Sequence, residues 1–225
     1  LKNRNIIEIG PGSGKLTEFI IKEKPKKLVL IEKDRRFYKL LKDKFINHKF
    51  IEIHNKDILD FTFKENFLKD AIIFGNLPYN ISVDILISLI KIDNLNKICE
   101  KLIFIFQKEV ADRIISNHNG KKFGRISILT AWKMNAKKII DIDPVNFRPI
   151  PKVWSSLLVL EPKKNYHKFK NINNLEHITN IFFSQRRKMI KKPLNQLFKN
   201  KDIIRDFNFN LNARPQNLKV EDYFK

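Results

Sequence analysis

The chain has 225 residues, 43% of them hydrophobic, which is enough for one large domain or for a medium domain with a small appendage. Its 45 Lys and Arg residues outnumber its 24 Asp and Glu residues and give a formal net charge of +21. The single cysteine, Cys99, excludes a disulfide framework and a cysteine-based metal cluster, and no apolar run is long enough to span a membrane.

The positive charge indicates the class of partner. A large positive field favours a polyanion, because each phosphate that is neutralised by Lys or Arg releases counterions, so nucleic acid is the first expectation. A lysine-rich solvated surface is the second interpretation, and an anionic membrane is the third. The five histidines lack the spacing of metal ligands, so no metal is predicted. One cysteine suits a reducing compartment, either the cytoplasm or an organellar matrix.

The first half of the chain alternates short apolar runs with stretches of helical spacing. The runs that predict strands are "NIIEIG" (5–10), "KLVLIEKD" (27–34), "KFIEIHNKD" (49–57), "AIIFGN" (71–76) and "KLIFIFQKE" (101–109). Strands that alternate with helices predict right-handed crossovers and a parallel sheet with helices on both faces. The fold class is therefore α/β.

The pattern changes after the fifth strand. "NAKKIIDIDP" (135–144) and "SSLLVLEP" (155–162) follow each other with no helix between them, as an antiparallel pair of strands would. Beyond Pro162 the apolar residues take helical spacing and basic residues become frequent. We therefore expect a first domain over residues 1–164 and a small all-α domain over residues 165–225.

The second domain carries a run of basic residues in "FFSQRRKMIKKPL". Arg186, Arg187 and Lys188 are predicted to bind RNA phosphates. The alternative is that they form a solvated helix face.

The first strand-to-helix turn carries the glycine-rich segment "EIGPGSGKLT" (8–17). Gly10, Gly12 and Gly14 remove side chains where a ligand must approach the backbone, and the helix behind them offers free N–H groups. The spacing matches neither the dinucleotide fingerprint nor a P-loop. Alone, such a segment indicates either a nucleotide-like ligand or no more than a tight turn.

The next two strands also end on ligand-type residues. Glu32 ends the second strand, where a carboxylate accepts hydrogen bonds from ribose hydroxyls, and Asp57 ends the third, where it can accept from an adenine amino group. Either residue alone would be an exposed strand-end charge. Together with the glycines they predict a site for an adenosine-bearing cofactor.

The fourth strand ends in "NLPY", a carboxamide, two backbone carbonyls and an aromatic face. Acceptors from the Asn76 side chain and the Leu77 carbonyl would hold an exocyclic amine with its lone pair free. Pro78 stiffens the turn and Tyr79 supplies a ring for stacking, with no role expected for its hydroxyl. This loop is predicted to hold a planar base that has left its stack. The alternative is a capped turn with Tyr79 in the core.

The motifs together resemble those of the ribosomal RNA adenine dimethyltransferases, in their small-subunit branch. The resemblance covers essentially the whole chain, in order. Its segments are "EIGPGSGKLT", "VLIEKD", "FGNLPYNIS", "FQKEVADRI", "FGRISIL", "FRPIPKVWSSLLVL" and "FSQRRKMIKKPL".

The resemblance implies a Rossmann-like class I methyltransferase domain followed by a basic helical domain. It implies S-adenosylmethionine as cofactor and two methyl transfers to N6 of each of two adjacent adenosines near the 3′ end of small-subunit rRNA, with a role in subunit biogenesis. The expected partner is the small ribosomal subunit precursor, bound by a monomer and not by way of a membrane. By motif, the cofactor-binding residues would be Gly10, Gly12, Glu32, Asp57 and Asn76. The residues framing the adenine would be Asn76, Leu77, Pro78, Tyr79 and Phe147.

The chain departs from the family pattern in three places, one of which is its C-terminal part, which stops at "VEDYFK" and is expected to lack part of the last helix. The family's "GQNFL" segment, which closes over the cofactor, would precede residue 1, so we expect an N-terminal segment to be missing. Trp154 stands where the family often has Asp. The competing functions are that of the large-subunit rRNA methyltransferases of macrolide resistance, that of a non-catalytic transcription or assembly factor of the same lineage, and that of a DNA adenine methyltransferase with a similar loop.

Overall fold

The computed structural model describes residues 1–63 and 68–225. Its strands are β1 (Asn5–Ile9), β2 (Lys27–Glu32), β3 (Ile51–Asn55), β4 (Ala71–Asn76), β5 (Cys99–Gln107), β6 (Met134–Ile142) and β7 (Ser155–Pro162). Its helices are α1 (Lys15–Lys22), α2 (Arg35–Lys44), α3 (Ser82–Lys91), α4 (Leu95–Ile98), α5 (Lys108–Ile114), α6 (Arg125–Lys133), α7 (Asn173–Ser184), α8 (Lys191–Leu197) and α9 (Lys201–Asp206).

Within the described residues the strands form one seven-stranded sheet in the order β3-β2-β1-β4-β5-β7-β6. The pairs from β3 to β5 are parallel, whereas β7 lies between β5 and β6 and is antiparallel to both. The predicted α/β class, with a mostly parallel sheet and an antiparallel pair near its end, is confirmed. The parallel order also brings the carboxyl ends of β2, β1 and β4 side by side.

The core explains why the central strands are largely apolar. Every residue of β2 from Leu28 to Glu32 is buried, as expected of a parallel strand that is covered on both faces. Leu28 and Leu30, two residues apart, share a cluster with Ile20 of α1 and Leu41 of α2. The apolar stripes of these two helices therefore fix the strand-to-helix turns that precede them.

Strands β2 and β3 each end two residues earlier than predicted, because polar side chains cap the next element. Asp34 accepts a hydrogen bond from the Arg36 N–H at 2.7 Å and so caps α2 at its start. Asp57 accepts from the Leu59 N–H at 3.0 Å and caps a single 3-10 turn in the same way. These caps leave Glu32 as the last residue of β2 and place Asp57 just beyond β3.

The described residues divide into two compact units. The first comprises residues 1–111 and 134–164 and contains the sheet, and the second comprises residues 112–133 and 165–225. Residues 112–133 belong to the same unit as the C-terminal segment, although β6 and β7 lie between them in the chain. The assignment of residues 165–225 to a separate RNA-binding domain stays a prediction.

The second unit is helical and aromatic. Phe182 of α7 packs edge-on against Tyr223 with ring centroids 5.4 Å apart, and the Tyr223 hydroxyl donates to the Pro215 carbonyl at 2.6 Å. These contacts tie the end of the chain to α7. No helix in the described part of the chain has the length and apolarity to cross a bilayer.

Candidate active site

The glycine turn between β1 and α1 leaves the backbone open on one side. Gly10 and Gly12 have φ of +65° and +57°, which L side chains rarely adopt, and a Cβ on either would meet no atom within 4 Å. The Gly10 N–H donates to the Ile31 carbonyl at 2.9 Å, which holds the turn against the end of β2. The turn is thus a cradle of open backbone, and binding of a ligand there stays a prediction.

Gly14 has a different reason to be glycine. A Cβ at this position, where φ is +78°, would lie 3.0 Å from both Leu41 Cδ2 and Phe45 Cε2. The missing side chain therefore allows α1 to start against α2. Of the three glycines, only Gly10 and Gly12 face open space.

Glu32 is fixed by the backbone around it. Its side chain is buried, and Oε2 accepts from the Gly12 N–H at 3.0 Å while Oε1 accepts from the Asp34 N–H at 2.8 Å. Two N–H donors leave lone pairs on both oxygens, so the carboxylate can still accept from ribose hydroxyls. The end of β2 and the glycine turn are therefore joined by the residue that is predicted to hold the ribose.

Glu8, which was not among the predicted site residues, lies behind the turn. It is 2% exposed, and Thr17 Oγ1 donates to its Oε2 at 2.7 Å. Burial raises its pKa to about 7, the Thr17 hydrogen bond opposes the shift, and the negative charge of Glu32 adds to it. The sequence does contain a feature that could have indicated this residue, namely a carboxyl group inside the apolar run "NIIEI", because acidic side chains are rarely buried without a partner.

Asp57 lies just beyond the end of β3 and already accepts hydrogen bonds from other groups of the protein. Its Oδ2 accepts from Lys33 Nζ at 2.6 Å, and its pKa lies below the usual range because of the Lys33 hydrogen bond, the Leu59 N–H and the Lys33 charge. Asn55 Nδ2 donates to the Glu32 carbonyl at 2.9 Å and so keeps the ends of β2 and β3 together. Contact between Asp57 and an adenine amino group stays a prediction.

The loop after β4 is anchored by one apolar side chain. Leu77 is 2% exposed and folds back onto Gly75, where a Cβ would come within 2.8 Å of Leu77 Cδ2. On either side of this anchor, Asn76 and Pro78 are exposed. Because β1 alone separates β2 from β4, Asn76 lies about 10 Å from the end of β2.

Tyr79 is held through its hydroxyl, contrary to the expectation that only its ring matters. The hydroxyl lies 2.6 Å from the hydroxyl of Ser155, which is fully buried at the start of β7. The Tyr79 carbonyl also accepts from Ser82 Oγ at 3.1 Å, at the first residue of α3. The Tyr79 hydroxyl is thus fixed by a residue 76 positions further along the chain, and its backbone by the start of α3.

Phe147 belongs to the loop that leads into β7. It is half-buried, its N–H donates to the Pro144 carbonyl at 3.1 Å, and its own carbonyl accepts from Arg148 Nη1 at 2.9 Å. Ser155 ends this loop, so the loop and Tyr79 meet at one point. That Phe147 covers the second face of an adenine stays a prediction.

In the second unit, the three predicted phosphate contacts lie in the turn between α7 and α8 and not on a helix face. Arg186 is half-buried, with Nε donating to Gln216 Oε1 at 3.1 Å and Nη2 bonded to the Lys121 carbonyl. Arg187 and Lys188 are exposed. Arg186 therefore joins three segments of the unit, while its two neighbours present their charges to solvent.

No cluster of His, Cys, Asp or Glu suited to a metal ion occurs within residues 1–63 and 68–225. The arrangement in the first unit is a backbone cradle and a fixed carboxylate beside an exposed carboxamide and a ring. It can bind an adenosine-like ligand next to a planar base.

Comparison with known proteins matches the whole chain to the family that its motifs resemble. The family model described as "Ribosomal RNA adenine dimethylase" matches residues 1–225. Ribosomal RNA small subunit methyltransferase A from Pelagibacter ubique is 52% identical, and the match covers 100% of this chain and 86% of that protein. The protein with the same name from Prochlorococcus marinus is 36% identical over 100% of this chain and 84% of its own length.

Two solved structures share the fold. A dimethyladenosine transferase from Plasmodium falciparum is similar with a TM-score of 0.79 at 24% identity, over 99% of this chain and 88% of that one. The 23S rRNA methyltransferase ErmE is similar with a TM-score of 0.71 at 20% identity, over 99% of this chain and 89% of that one. The chain belongs to the ribosomal RNA adenine dimethylase family.

Proposed function

We propose that this protein transfers methyl groups from S-adenosylmethionine to N6 of two adjacent adenosines near the 3′ end of small-subunit rRNA. The observation that carries the proposal is the position of two features at the ends of two strands of one sheet. Glu32 accepts a hydrogen bond from the Gly12 N–H at 3.0 Å, and the loop Asn76–Tyr79 lies two strands away. A cofactor cradle and a base-holding loop then lie at one edge of one sheet.

The cradle fits an adenosine-bearing cofactor. Gly10 and Gly12 offer backbone where a Cβ would project into open space, and Glu32 offers oxygen acceptors to ribose hydroxyls. S-adenosylmethionine, when bound, supplies an electrophilic methyl group on a sulfonium sulfur. The chain's own task is to place a nucleophile in line with that methyl and to exclude water.

The loop after β4 would activate the nucleophile. The lone pair of an adenine amine is delocalised into the ring, which makes the nitrogen a poor nucleophile. The Asn76 side-chain oxygen and the Leu77 carbonyl accept its two hydrogens and favour a pyramidal nitrogen with its lone pair free. Tyr79 stacks on the base and stabilises the transient positive charge, held in place by Ser155.

RNA affinity would come mainly from phosphates. The chain carries a net charge of +21, and the exposed Arg187 and Lys188 are the phosphate-binding residues that we assign in the second unit. We assign Arg186 to holding their turn together, since its guanidinium is already bonded within the unit. Phosphates position the RNA, and the loop after β4 selects the adenine.

The small subunit is favoured over the large one by the relatives. The Pelagibacter ubique protein, named as a small-subunit methyltransferase, is 52% identical to this chain over the aligned residues, whereas the likeness to ErmE at 20% identity concerns the fold. We propose that the protein acts on the small-subunit precursor as a cytoplasmic monomer and has a role in subunit assembly.

The decisive experiment is transfer of tritiated methyl from S-adenosylmethionine to small ribosomal subunits that lack the modification. We expect label in N6,N6-dimethyladenosine at two adjacent positions near the 3′ end of the rRNA. Large subunits, naked large-subunit rRNA and DNA serve as parallel substrates. Label in large-subunit rRNA would favour the macrolide-resistance type, label in DNA would favour a DNA adenine methyltransferase, and binding of small subunits without any label would favour an assembly factor.

A further inference from the structure

Trp154 is an exposed tryptophan immediately before β7. Its relative exposure is 46%, whereas Trp132, the other tryptophan of the chain, is 4% exposed. An exposed indole leaves a large apolar area in water, and tryptophan is enriched at binding interfaces.

Lys108, the first residue of α5, contacts both the backbone and the ring of Trp154, and Asp141 of β6 and Ser156 of β7 hold the Lys108 side chain in turn. The Lys108 N–H donates to the Trp154 carbonyl at 2.8 Å, and Lys108 Nζ lies 5.6 Å from the centre of the ring. The same Nζ is 2.6 Å from Asp141 Oδ2, and Ser156 Oγ donates to Asp141 Oδ1 at 2.6 Å. The start of α5 thus contacts the ring, and β6 and β7 hold its neighbouring cation, before any partner binds, which lowers the entropic cost of binding.

The position of Trp154 relates it to the base-holding loop. Ser155, its neighbour with a Cα about 3.8 Å away, holds the Tyr79 hydroxyl, whereas Ser156 points to Asp141. Side chains alternate along a strand, so Trp154 lies on the Asp141 side of β7 and Tyr79 on the other. A base stacked on Tyr79 would therefore lie on the other side of β7 from Trp154, which leaves the indole available to a different nucleotide of the same RNA strand.

We propose that Trp154 stacks on the base of a nucleotide that flanks the target adenosine in single-stranded RNA. The proposal rests on the function proposed above, because that function places the target adenosine at Tyr79. Stacking on an indole tolerates any base, since every base has a π-face. Trp154 would thus fix the register of the RNA strand without reading its sequence.

The test measures binding of a short single-stranded RNA with the two adjacent adenosines, in versions with one abasic position placed in turn along the strand. Trp154→Ala should weaken binding of the intact RNA by about 10-fold, as the loss of one base–aromatic stack does. Trp154→Phe, which keeps a ring, should lose much less. At one flanking position, the abasic substitution should weaken the wild type by a similar factor and leave Trp154→Ala unchanged.

Phe19 provides the matched control. It is 66% exposed on α1, with Lys22 Nζ 5.3 Å from its ring, and so repeats the pairing of an exposed ring with a lysine. Phe19→Ala should bind every RNA as the wild type does. Tryptophan fluorescence gives a second measurement, because Trp132 is buried and quenching by RNA then reports on Trp154.

The proposal is overturned if Trp154→Ala binds the intact RNA with wild-type affinity, or if no abasic position loses its effect in that variant. If Trp154→Ala weakens binding of small subunits but not of the isolated RNA, the partner is a subunit protein and the proposal also fails. Methyl transfer by the wild type is measured on the same preparations. Its absence would contradict the proposed function, whereas normal transfer with unchanged RNA binding in Trp154→Ala would contradict the stacking alone.

Discussion

The region proposed to bind the cofactor (the cofactor end) and the region proposed to hold the base (the base end) are built in different ways. At the cofactor end, Glu32 is buried and both of its oxygens accept backbone N–H groups, so its geometry is complete before any ligand arrives. At the base end, Asn76 is exposed and Tyr79 is held by side-chain contacts of the loop and of β7. The first region is part of the folded core, whereas the second presents exposed groups on a loop at the surface.

This difference separates the expected effects of mutations. Substitutions at the cofactor end remove interactions that already exist in the free protein, so they should change its stability as well as its affinity for the cofactor. Substitutions of exposed groups at the base end should leave stability unchanged and appear in the rate of methyl transfer. The following experiments test this separation.

The largest effect is expected for Asn76→Ala. If the carboxamide accepts from the adenine amine mainly in the transition state, its loss should lower kcat by roughly two to three orders of magnitude, as the loss of one preorganised polar group does in other enzymes. RNA affinity should stay near that of the wild type, because phosphates supply most of it. Single-turnover methylation of small subunits measures the effect.

Asn80 is the matched control for Asn76. It lies four residues further along the same loop and is also exposed. Asn80→Ala should keep near-normal turnover. Equal damage from the two alanine substitutions would indicate that the loop as a whole had been disturbed, and a near-normal rate in Asn76→Ala would remove the carboxamide from the mechanism.

The next effect concerns the pH dependence of stability through Glu8. Its pKa is raised from 4.5 to about 7 in the folded protein, so between these pH values the folded state holds a proton that the unfolded state has lost. Stability should therefore fall as pH rises through this window, by on the order of 3 kcal/mol at the full shift. Below pH 4.5 both states are protonated and this penalty is absent.

Glu8→Gln isolates that effect, since the amide keeps an oxygen for Thr17 but does not ionise. Urea unfolding at pH 5 and at pH 8 should show the variant gaining stability relative to the wild type at the higher pH. Parallel pH profiles of the two proteins would show that the carboxyl group is not buried in the way described.

Glu32→Ala tests the cofactor end directly. Loss of hydrogen bonds from a charged acceptor, each worth about 1.5 to 3 kcal/mol, should raise the dissociation constant of S-adenosylmethionine by about 10- to 100-fold. Because Gly12 and Asp34 lose their acceptor, the thermal midpoint should fall as well. Titration calorimetry measures the first effect and scanning calorimetry the second, while RNA affinity should hardly change. Wild-type cofactor affinity would contradict the assignment.

A smaller effect is expected in the second unit. Replacing Arg187 and Lys188 together with Ala should reduce the slope of log affinity against log salt by roughly 0.7 to 0.9 for each phosphate that is no longer neutralised, similarly for all RNA sequences. Arg186→Ala should instead lower the thermal midpoint, since it removes bonds to Gln216 and Lys121. An unchanged salt slope in the double variant would show that these charges do not face the RNA.

The sequence predicts the parts of the site that depend on neighbouring residues. The strand ends at Glu32 and Asn76 and the turn at Gly10 and Gly12 follow from local patterns of apolar residues and glycines, and the structure places them as expected. Parallel pairing then brings these ends to one edge of the sheet without further information.

The remaining features depend on contacts between distant residues. Gly14 is required by Leu41 of α2 and by Phe45 just after it, 27 or more residues away, so its spacing in the motif does not distinguish it from the glycines of the cradle. The bond from Tyr79 to Ser155 exists because β7 returns between β5 and β6, which no local pattern indicates. Local sequence patterns therefore predict where the candidate site lies, but they do not predict the distant residues whose contacts hold it in place.

The smallest effect, and the sharpest test of the difference between the two ends, concerns Tyr79 and Ser155. A hydrogen bond of this kind contributes about 0.5 to 1.5 kcal/mol. If that free energy positions the ring for catalysis, removing one hydroxyl of the pair should lower kcat by roughly 2- to 12-fold, because the ring remains but is held less firmly. Tyr79→Ala should be far more damaging, since it removes the ring. In a double-mutant cycle, Tyr79→Phe combined with Ser155→Ala should be no worse than either change alone, because both remove the same bond. Additive losses would mean that each hydroxyl acts separately, and a loss in RNA affinity without a loss in kcat would mean that the bond supports the loop and not the stacked base.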